Sequence, residues 1–132
     1  MKSKALWAGG YQSIIDDRRG HAVVNDLPES ANGENNGPSS LEMCVMSFAG
    51  CISTIYKMMA DKMKIEIEHL EVDVDAEKID GTIGKANVMV KVKSSAPHEK
   101  IERCFNLTCD TCPVGVLFAK AGVQINKVLE II

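Results

Sequence analysis

Residues 41–63 of this 132-residue chain read LEMCVMSFAGCISTIYKMMADKM, a stretch with four charged residues and no proline. Its length is typical of a helix rather than a strand. At about 100° per residue one narrow stripe collects the polar residues Glu42, Ser53, Thr54, Lys57, Asp61 and Lys64, and the opposite face is apolar. That apolar face comprises Cys44, Phe48, Cys51, Ile52, Ile55, Met58 and Met59. We therefore predict a long, mostly buried central helix.

Two features of this stretch point beyond the helix itself. A glycine in mid-helix costs about 1 kcal/mol relative to alanine, so Gly50 predicts that another group closely approaches the backbone there. The helix is also apolar over about two thirds of its circumference, which is more than the sheet of so small a domain can cover. This excess indicates that a second subunit covers the rest.

The segments on either side of the helix predict the remaining elements. Short apolar runs within residues 5–24 indicate strands with a tight turn at 16–20. Residues 26–40, DLPESANGENNGPSS, predict an exposed loop. Alternating apolar residues over 65–76 and 86–92 predict a hairpin around Gly81–Gly84, with a bulge near His69. A second helix should begin at Pro97 and end near Cys109, and a final strand should span 123–131.

This order of elements predicts a single domain, residues 1–132, of the α+β class. In that class, helices pack on a mainly antiparallel sheet. The net charge is −3 and the 15 basic residues are scattered, which argues against nucleic acid as a partner. The chain has no run of about 18 uncharged apolar residues, so we expect neither a membrane span nor export, and we expect a cytoplasmic protein.

Five cysteines direct attention to thiol chemistry. Their odd number argues against a purely structural set of disulfides. A thiol attacks peroxide only as thiolate, and a second thiol must then resolve the sulfenic acid. Cys51 on the long helix is one candidate, and it could equally be a small buried apolar residue.

Cys109 and Cys112 have a CxxC spacing, which could be a redox pair, half of a zinc site or neither. A zinc site needs four ligands, and His21, His69 and His98 stand in no ligand spacing. We therefore expect no metal and no other cofactor.

Two motifs resemble the OsmC/Ohr family of osmotically inducible and organic hydroperoxide resistance proteins. They are GPSSLE at residues 37–42 leading to AGC at 49–51, and CPV at 112–114. The order of elements is also similar over nearly the whole chain. The resemblance implies an intertwined homodimer with a long central helix and a second helix, and with sites at the subunit interface.

The resemblance also implies a reaction. Cys51 would attack an organic hydroperoxide, Cys112 would close a disulfide, and an external dithiol would reduce it. Arg18 matches the arginine that stabilises the thiolate in this family, with Arg19 next to it. Alternatively, both arginines are simply solvated in a turn.

The chain departs from the peroxidase pattern in two places. The acid of the peroxidase branch lies one residue nearer the loop than Glu42, so Glu42 fits the less characterised OsmC-like branch. Glu42 also completes a capping box with Ser39, which is our preferred interpretation. Cys109 could compete with Cys112 as the resolving thiol, whereas we interpret Cys44 and Cys104 as packing residues.

The alternative function is a non-enzymatic OsmC-like dimer. It would bind a small apolar molecule or sense redox state, with the methionines of the long helix as an adaptable pocket wall. Those methionines could equally belong to the core.

Overall fold

The computed structural model describes all of residues 1–132 and confirms the predicted α+β class, with three helices and two three-stranded sheets. One mainly antiparallel sheet was expected, and two are present. The chain divides into two compact units, Met1–Cys44 and Val45–Ile132, which are described in turn.

The first unit contains an antiparallel meander. Its strands are β1 (Lys4–Gly9), β2 (Gln12–Asp16) and β3 (Ala22–Asn25), in the order β1-β2-β3. The predicted turn at 16–20 is present, since the Asp17 N–H donates to the His21 carbonyl at 3.1 Å. Large apolar side chains of this meander are exposed, namely Leu6, Trp7, Tyr11, Ile14, Val23 and Val24.

The predicted loop after β3 folds around one buried carboxylate. Asp26 is 1% exposed and accepts backbone N–H groups of Leu27 at 2.7 Å, Glu34 at 3.3 Å and Asn36 at 3.1 Å. The loop also contains a single 3-10 turn, Glu29–Ala31. Because one carboxylate collects N–H groups from across the loop, the segment has a defined conformation with little regular secondary structure.

The long helix is present as α1 (Ser40–Lys62), and within this chain it is less buried than predicted. Its buried residues are Phe48, Ile52, Tyr56 and Ala60, spaced four apart. Packing against one side buries a single stripe of a helix, so the wider apolar face is not covered within this chain. Cys44 and Met58, assigned to the buried face, are exposed.

The end of α1 explains why the next strand starts later than predicted. Lys64 has a positive φ of 54°, its N–H donates to the Asp61 carbonyl, and the Ile65 N–H donates to the Ala60 carbonyl at 2.9 Å. This pattern is a Schellman motif, in which the residue after the left-handed position packs back on the helix. Ile65 is therefore buried as part of the helix terminus and not as part of a strand.

The second sheet has the order β4-β5-β6, with β4 (His69–Ile79), β5 (Thr82–Lys93) and β6 (Gln124–Ile131). The hairpin of β4 and β5 is antiparallel as predicted, and β6 runs parallel to β5. The irregularity in β4 lies between Glu77 and Lys78, so the bulge expected near His69 was wrongly placed.

Two helices connect β5 to β6. Helix α2 (His98–Thr111) was predicted, with Pro97 as its N-cap residue. Helix α3 (Pro113–Lys120) was not predicted. It begins with proline in the first turn, where the missing N–H costs nothing.

The core lies in the second unit, where α1 and α2 contribute apolar side chains that pack with one face of β5. Its buried members include Phe48, Ile52, Tyr56, Ala60, Ile65, Ala86, Val88, Val90, Val92, Ile101, Cys104, Phe105, Cys112 and Phe118. By length and composition α1 could also cross a membrane, with a mean hydropathy of 1.4. That property is weak evidence here, because a core helix of a globular fold has it too, and α1 supplies four residues of this core.

Candidate functional site

Two cysteines that are 61 positions apart meet in the second unit. The Cys112 thiol donates to the Cys51 sulfur, with the two Sγ atoms 3.0 Å apart. Cys51 lies on α1 one turn after the buried Phe48, and is itself partly exposed. Cys112 is 1% exposed. The pair therefore has one sulfur near solvent and one behind it.

The position of Cys112 is set by the junction between α2 and α3. Its N–H donates to the Thr108 carbonyl at 2.9 Å and ends α2. Its Sγ accepts the Gly115 N–H at 3.4 Å and caps the start of α3. One residue therefore closes one helix and opens the next, which limits the freedom of the sulfur.

Gly115 lets α3 pack closely beside the thiols. A Cβ atom at this position would lie 3.1 Å from Phe48 Cε2 and 3.6 Å from Cys112 Sγ. Further along α3, Phe118 stacks obliquely on Phe48. Sequence reasoning missed both Gly115 and Phe118, and the signal that could have found them is Cys112-Pro113, which is typical of a helix start.

The surroundings of Cys112 disfavour the ionised form of its thiol. Burial raises the pKa of Cys112 to about 11, and the hydrogen bond that it donates to Cys51 raises it as well. The Gly115 N–H acts in the opposite direction but less strongly. Cys112 therefore keeps its proton and donates it in the hydrogen bond to the Cys51 sulfur.

This arrangement suits the formation and reduction of a disulfide. A disulfide has an S–S length of about 2.05 Å, so the two sulfurs need to approach by about 1 Å from their separation of 3.0 Å. All five cysteines are present as thiols in this structure.

The arginines predicted for the site lie in the first unit, in the turn between β2 and β3. Arg19 forms an ion pair with Asp17 at 2.9 Å, and His21 Nδ1 lies 2.8 Å from the same carboxylate oxygen. These contacts hold the pKa of Asp17 at about 2, with the His21 hydrogen bond as the largest cause. The Arg18 N–H donates to Asp16, and the Arg18 guanidinium makes no ion pair.

Glu42 is a helix cap, as the sequence indicated. Its carboxylate accepts the Ser39 N–H at 2.6 Å, and its own N–H donates to Ser39 Oγ at 3.4 Å. These two bonds constitute a capping box. The Ser39 N–H also holds the pKa of Glu42 below its ordinary value. The Glu42 carboxylate therefore caps the start of α1.

The remaining cysteines differ in their surroundings. Cys104 is fully buried, in agreement with its interpretation as a packing residue. Cys44 is exposed, so the same interpretation was wrong for that residue. Cys109 is partly buried in the last turn of α2, where burial raises its pKa and Lys127 lowers it.

Gly50 has no close neighbour within this chain. A Cβ atom there would meet nothing within 4 Å. The predicted close approach was therefore wrong for the isolated chain. The structure also contains no group of three His, Cys, Asp or Glu side chains placed to hold a metal ion.

The family model described as OsmC-like protein matches residues 33–127, a range that includes both cysteines of the pair. The chain belongs to the OsmC-like protein family. No curated protein matches it significantly.

Solved structures with the OsmC-like fold superpose on nearly the whole chain. An OsmC-like protein from Mycoplasma pneumoniae has a TM-score of 0.88 at 15% identity, covering 99% of this chain and 96% of its own. An organic hydroperoxide resistance protein OsmC from Legionella pneumophila has a TM-score of 0.71 at 15% identity, with coverage of 98% and 95%. Another such resistance protein, from Elizabethkingia anophelis, has a TM-score of 0.73 at 13% identity, with coverage of 97% and 93%.

At these identities the neighbours show the fold alone. For this chain they establish the OsmC-like fold and no activity.

Proposed function

We propose that this chain is a thiol peroxidase that reduces organic hydroperoxides, with Cys51 as the peroxidatic thiol and Cys112 as the resolving thiol. The observation that carries the proposal is the 3.0 Å separation of their sulfurs across 61 positions of sequence. Packing alone does not require two thiols to meet, whereas a two-cysteine peroxidase does.

The order of the two thiols follows from their exposure and protonation. Cys51 is the more accessible sulfur, and it accepts the hydrogen bond that Cys112 donates. A peroxide from solvent therefore reaches the Cys51 sulfur before that of the buried Cys112.

The reaction balances with one peroxide and one dithiol. The Cys51 thiolate attacks an oxygen of the O–O bond, which breaks to give a Cys51 sulfenic acid and an alkoxide that takes a proton and leaves as alcohol. The Cys112 sulfur then attacks the Cys51 sulfur, a disulfide forms, and water leaves with the proton of Cys112. An external dithiol returns both cysteines to thiols and is oxidised to its own disulfide.

The family resemblance adds a cation and a second subunit. We propose that Arg18, whose guanidinium makes no ion pair in this structure, stabilises the Cys51 thiolate, and that Arg19, already paired with Asp17, does not. We also propose that the chain forms a homodimer, since exposed apolar side chains such as Met46 and Met58 on α1 are not covered within this chain. We propose that this homodimer is cytoplasmic.

The test is consumption of cumene hydroperoxide by the reduced protein with a dithiol reductant. We expect turnover that is lost in Cys51→Ser and that stops after one equivalent or falls steeply in Cys112→Ser. Cys44→Ser is the matched control, since it makes the same chemical change at an exposed position of the same helix. Turnover that persists in Cys51→Ser would refute the mechanism, and its absence from the wild type would favour the binding or sensing dimer.

A further inference from the structure

One backbone N–H group donates to the buried sulfur of the pair. The Gly115 N–H lies 3.4 Å from Cys112 Sγ. The first helical hydrogen bond of α3 comes one residue later, where the Val116 N–H donates to the Cys112 carbonyl at 2.9 Å. The first four N–H groups of a helix have no acceptor within that helix. The Cys112 sulfur is therefore the acceptor of the Gly115 N–H.

Position 115 has to be glycine for this approach. A Cβ atom there would lie 3.1 Å from Phe48 Cε2 and 3.6 Å from Cys112 Sγ. The 3.1 Å contact is tighter than most Cβ contacts in proteins, so alanine would displace either α3 or the Phe48 ring. The absence of a side chain at Gly115 therefore keeps its N–H within reach of the sulfur.

A neutral thiol gains little from this hydrogen bond. Serine, threonine, aspartate and asparagine are the preferred residues for capping a helix N-terminus, and the sulfur of a thiol is a weak acceptor. Hydrogen bonds to ionised groups are roughly twice as strong as those between neutral groups. The bond from Gly115 therefore contributes most when Cys112 carries a negative charge.

The exposure of the two sulfurs determines where a negative charge arises during reduction. Cys51 is partly exposed, whereas Cys112 is 1% exposed. A dithiol from solvent therefore attacks a Cys51–Cys112 disulfide at Cys51, and Cys112 is the leaving group. Burial raises the pKa of Cys112, and the N–H groups of Gly115 and Val114 lower it. These N–H groups therefore oppose the cost of placing the charge on a buried sulfur.

We propose that the Gly115 N–H is a catalytic group that stabilises Cys112 as a leaving thiolate when the Cys51–Cys112 disulfide is reduced. The proposal rests on the proposed function, which pairs these two cysteines. The bond is weak in the disulfide and strengthens as charge develops on Cys112, so it lowers the barrier of the reductive step.

The reductive step balances with one dithiol. A thiolate of the dithiol attacks Cys51 Sγ, the Cys51–Cys112 bond breaks, and a mixed disulfide forms on Cys51. Cys112 leaves with the electron pair and takes a proton from solvent. The second thiol of the dithiol loses its proton to solvent and attacks the dithiol sulfur of the mixed disulfide. Cys51 then leaves as thiolate, and the dithiol is oxidised to its own disulfide.

An amide-to-ester replacement at position 115 removes the N–H and adds no side chain. Cys112 provides the N-terminal cysteine needed to ligate a fragment 1–111 to a synthetic peptide 112–132 that has glycolic acid in place of Gly115. The matched control has an ester at position 116, which removes the N–H that bonds to the Cys112 carbonyl and keeps the one that bonds to its sulfur. An all-amide protein made by the same ligation is the reference.

The measurement is the rate at which dithiothreitol reduces a Cys51–Cys112 disulfide formed with diamide. We expect the ester at position 115 to lower this rate about tenfold or more, as for a lost hydrogen bond to a charged group, and the ester at position 116 to change it less than about twofold. Sulfenic acid formation at Cys51 with cumene hydroperoxide should be equally fast in all three proteins, because Cys112 carries no charge in that step.

The recombinant variant Gly115→Ala is a second test that needs no ligation. It should also slow the reduction of the disulfide, since the added Cβ displaces α3 or Phe48 and so lengthens the bond to the sulfur. Leu117→Ala, at an exposed position of the same helix, is its control and should reduce at the wild-type rate.

Two results would refute the role of the N–H and leave the peroxidase standing. One is an unchanged rate with the ester at position 115, and the other is an equal loss with both esters, which would indicate the start of α3 and not the bond to sulfur. Diamide needs no peroxide, so a wild type that consumes no peroxide refutes the proposed peroxidase alone. If diamide also fails to join Cys51 to Cys112, both proposals fail.

Discussion

The aromatic rings of Phe48 and Phe118 lie with centroids 4.8 Å apart and planes tilted by 35°. Phe48 is one turn before Cys51 on α1, and Phe118 belongs to α3, the helix that Cys112 caps. The separation of the two sulfurs therefore depends on an apolar contact between these helices as well as on the hydrogen bond between the thiols.

This contact predicts the effect of Phe118→Leu. The substitution removes buried ring atoms, and we expect a loss of about 1 kcal/mol in the free energy of unfolding, measured by urea denaturation, with slower closure of the Cys51–Cys112 disulfide. Leu117→Ala, at a side chain that is 64% exposed, should change stability by less than about 0.5 kcal/mol. Equal losses in the two variants would contradict the proposed role of the ring pair.

Two glycine-to-alanine changes should have opposite effects. At Gly33 the added Cβ would lie 1.9 Å from the Leu27 carbonyl oxygen, so the loop around Asp26 must shift, and we expect a loss of about 1–3 kcal/mol. At Gly50 the Cβ meets nothing within 4 Å, and helix propensity predicts a gain of up to about 1 kcal/mol. Urea denaturation measures both. A loss at Gly50 would instead indicate that a partner subunit approaches the helix there.

Asp26 should make the stability of the chain sensitive to acid. The backbone N–H of Asn36, and then those of Leu27 and Glu34, hold the pKa of Asp26 below its ordinary value. A lowered folded pKa contributes stability above the unfolded pKa of about 3.9 and loses it as pH falls through the folded one. As pH falls into the acid range, the melting temperature of Asp26→Asn should decrease less steeply than that of the wild type. Glu29→Gln, on the same loop, should retain the wild-type decline.

Cys112 should make the stability of the chain sensitive to alkaline pH. Its folded pKa is raised to about 11, chiefly by burial. A raised folded pKa contributes stability below the unfolded pKa of about 8.5 and loses it as pH rises through the folded value. Unfolding measured over this alkaline range should show a smaller decline for Cys112→Ser than for the wild type. A curve identical to that of the wild type, or to that of Cys44→Ser, would contradict this environment for Cys112.

The two neighbouring arginines should differ in their effect on catalysis. If Arg18 stabilises the thiolate, Arg18→Gln should lower the second-order rate of Cys51 oxidation by about tenfold or more, the size of effect typical of a lost charge at a reacting group. Arg19→Gln should change it little, because the Arg19 guanidinium is held by Asp17. The rate of sulfenic acid formation under single-turnover conditions is the measurement. Equal effects in both variants would show general electrostatic attraction only.

Local patterns were sufficient for the elements whose signals lie close together in sequence. The charged stripe of α1, the alternation in β5 and the capping box of Ser39 and Glu42 are properties of neighbouring residues, and they were predicted correctly. The motifs around Cys51 and Cys112 led to the family that the comparison confirms.

What depends on distant residues was predicted poorly. A helical wheel shows which residues share a face, but not how wide a stripe the sheet covers, so the exposure of Cys44 was missed. Helix α3 is eight residues long with a glycine inside it, too short for periodicity to reveal. The parallel pairing of β6 with β5 and the role of Asp26 depend on contacts that the local sequence does not encode.

The 61 positions between Cys51 and Cys112 link folding to oxidation. In an unfolded chain, closing a loop of that length costs about 4 kcal/mol of conformational entropy. Folding already brings the two thiols together, so their effective concentration is high in the folded chain and low in the unfolded one. By thermodynamic linkage, a disulfide between them stabilises the fold to the same extent. Oxidation of the pair would therefore stabilise the fold, and unfolding removes the proximity on which the proposed reaction depends.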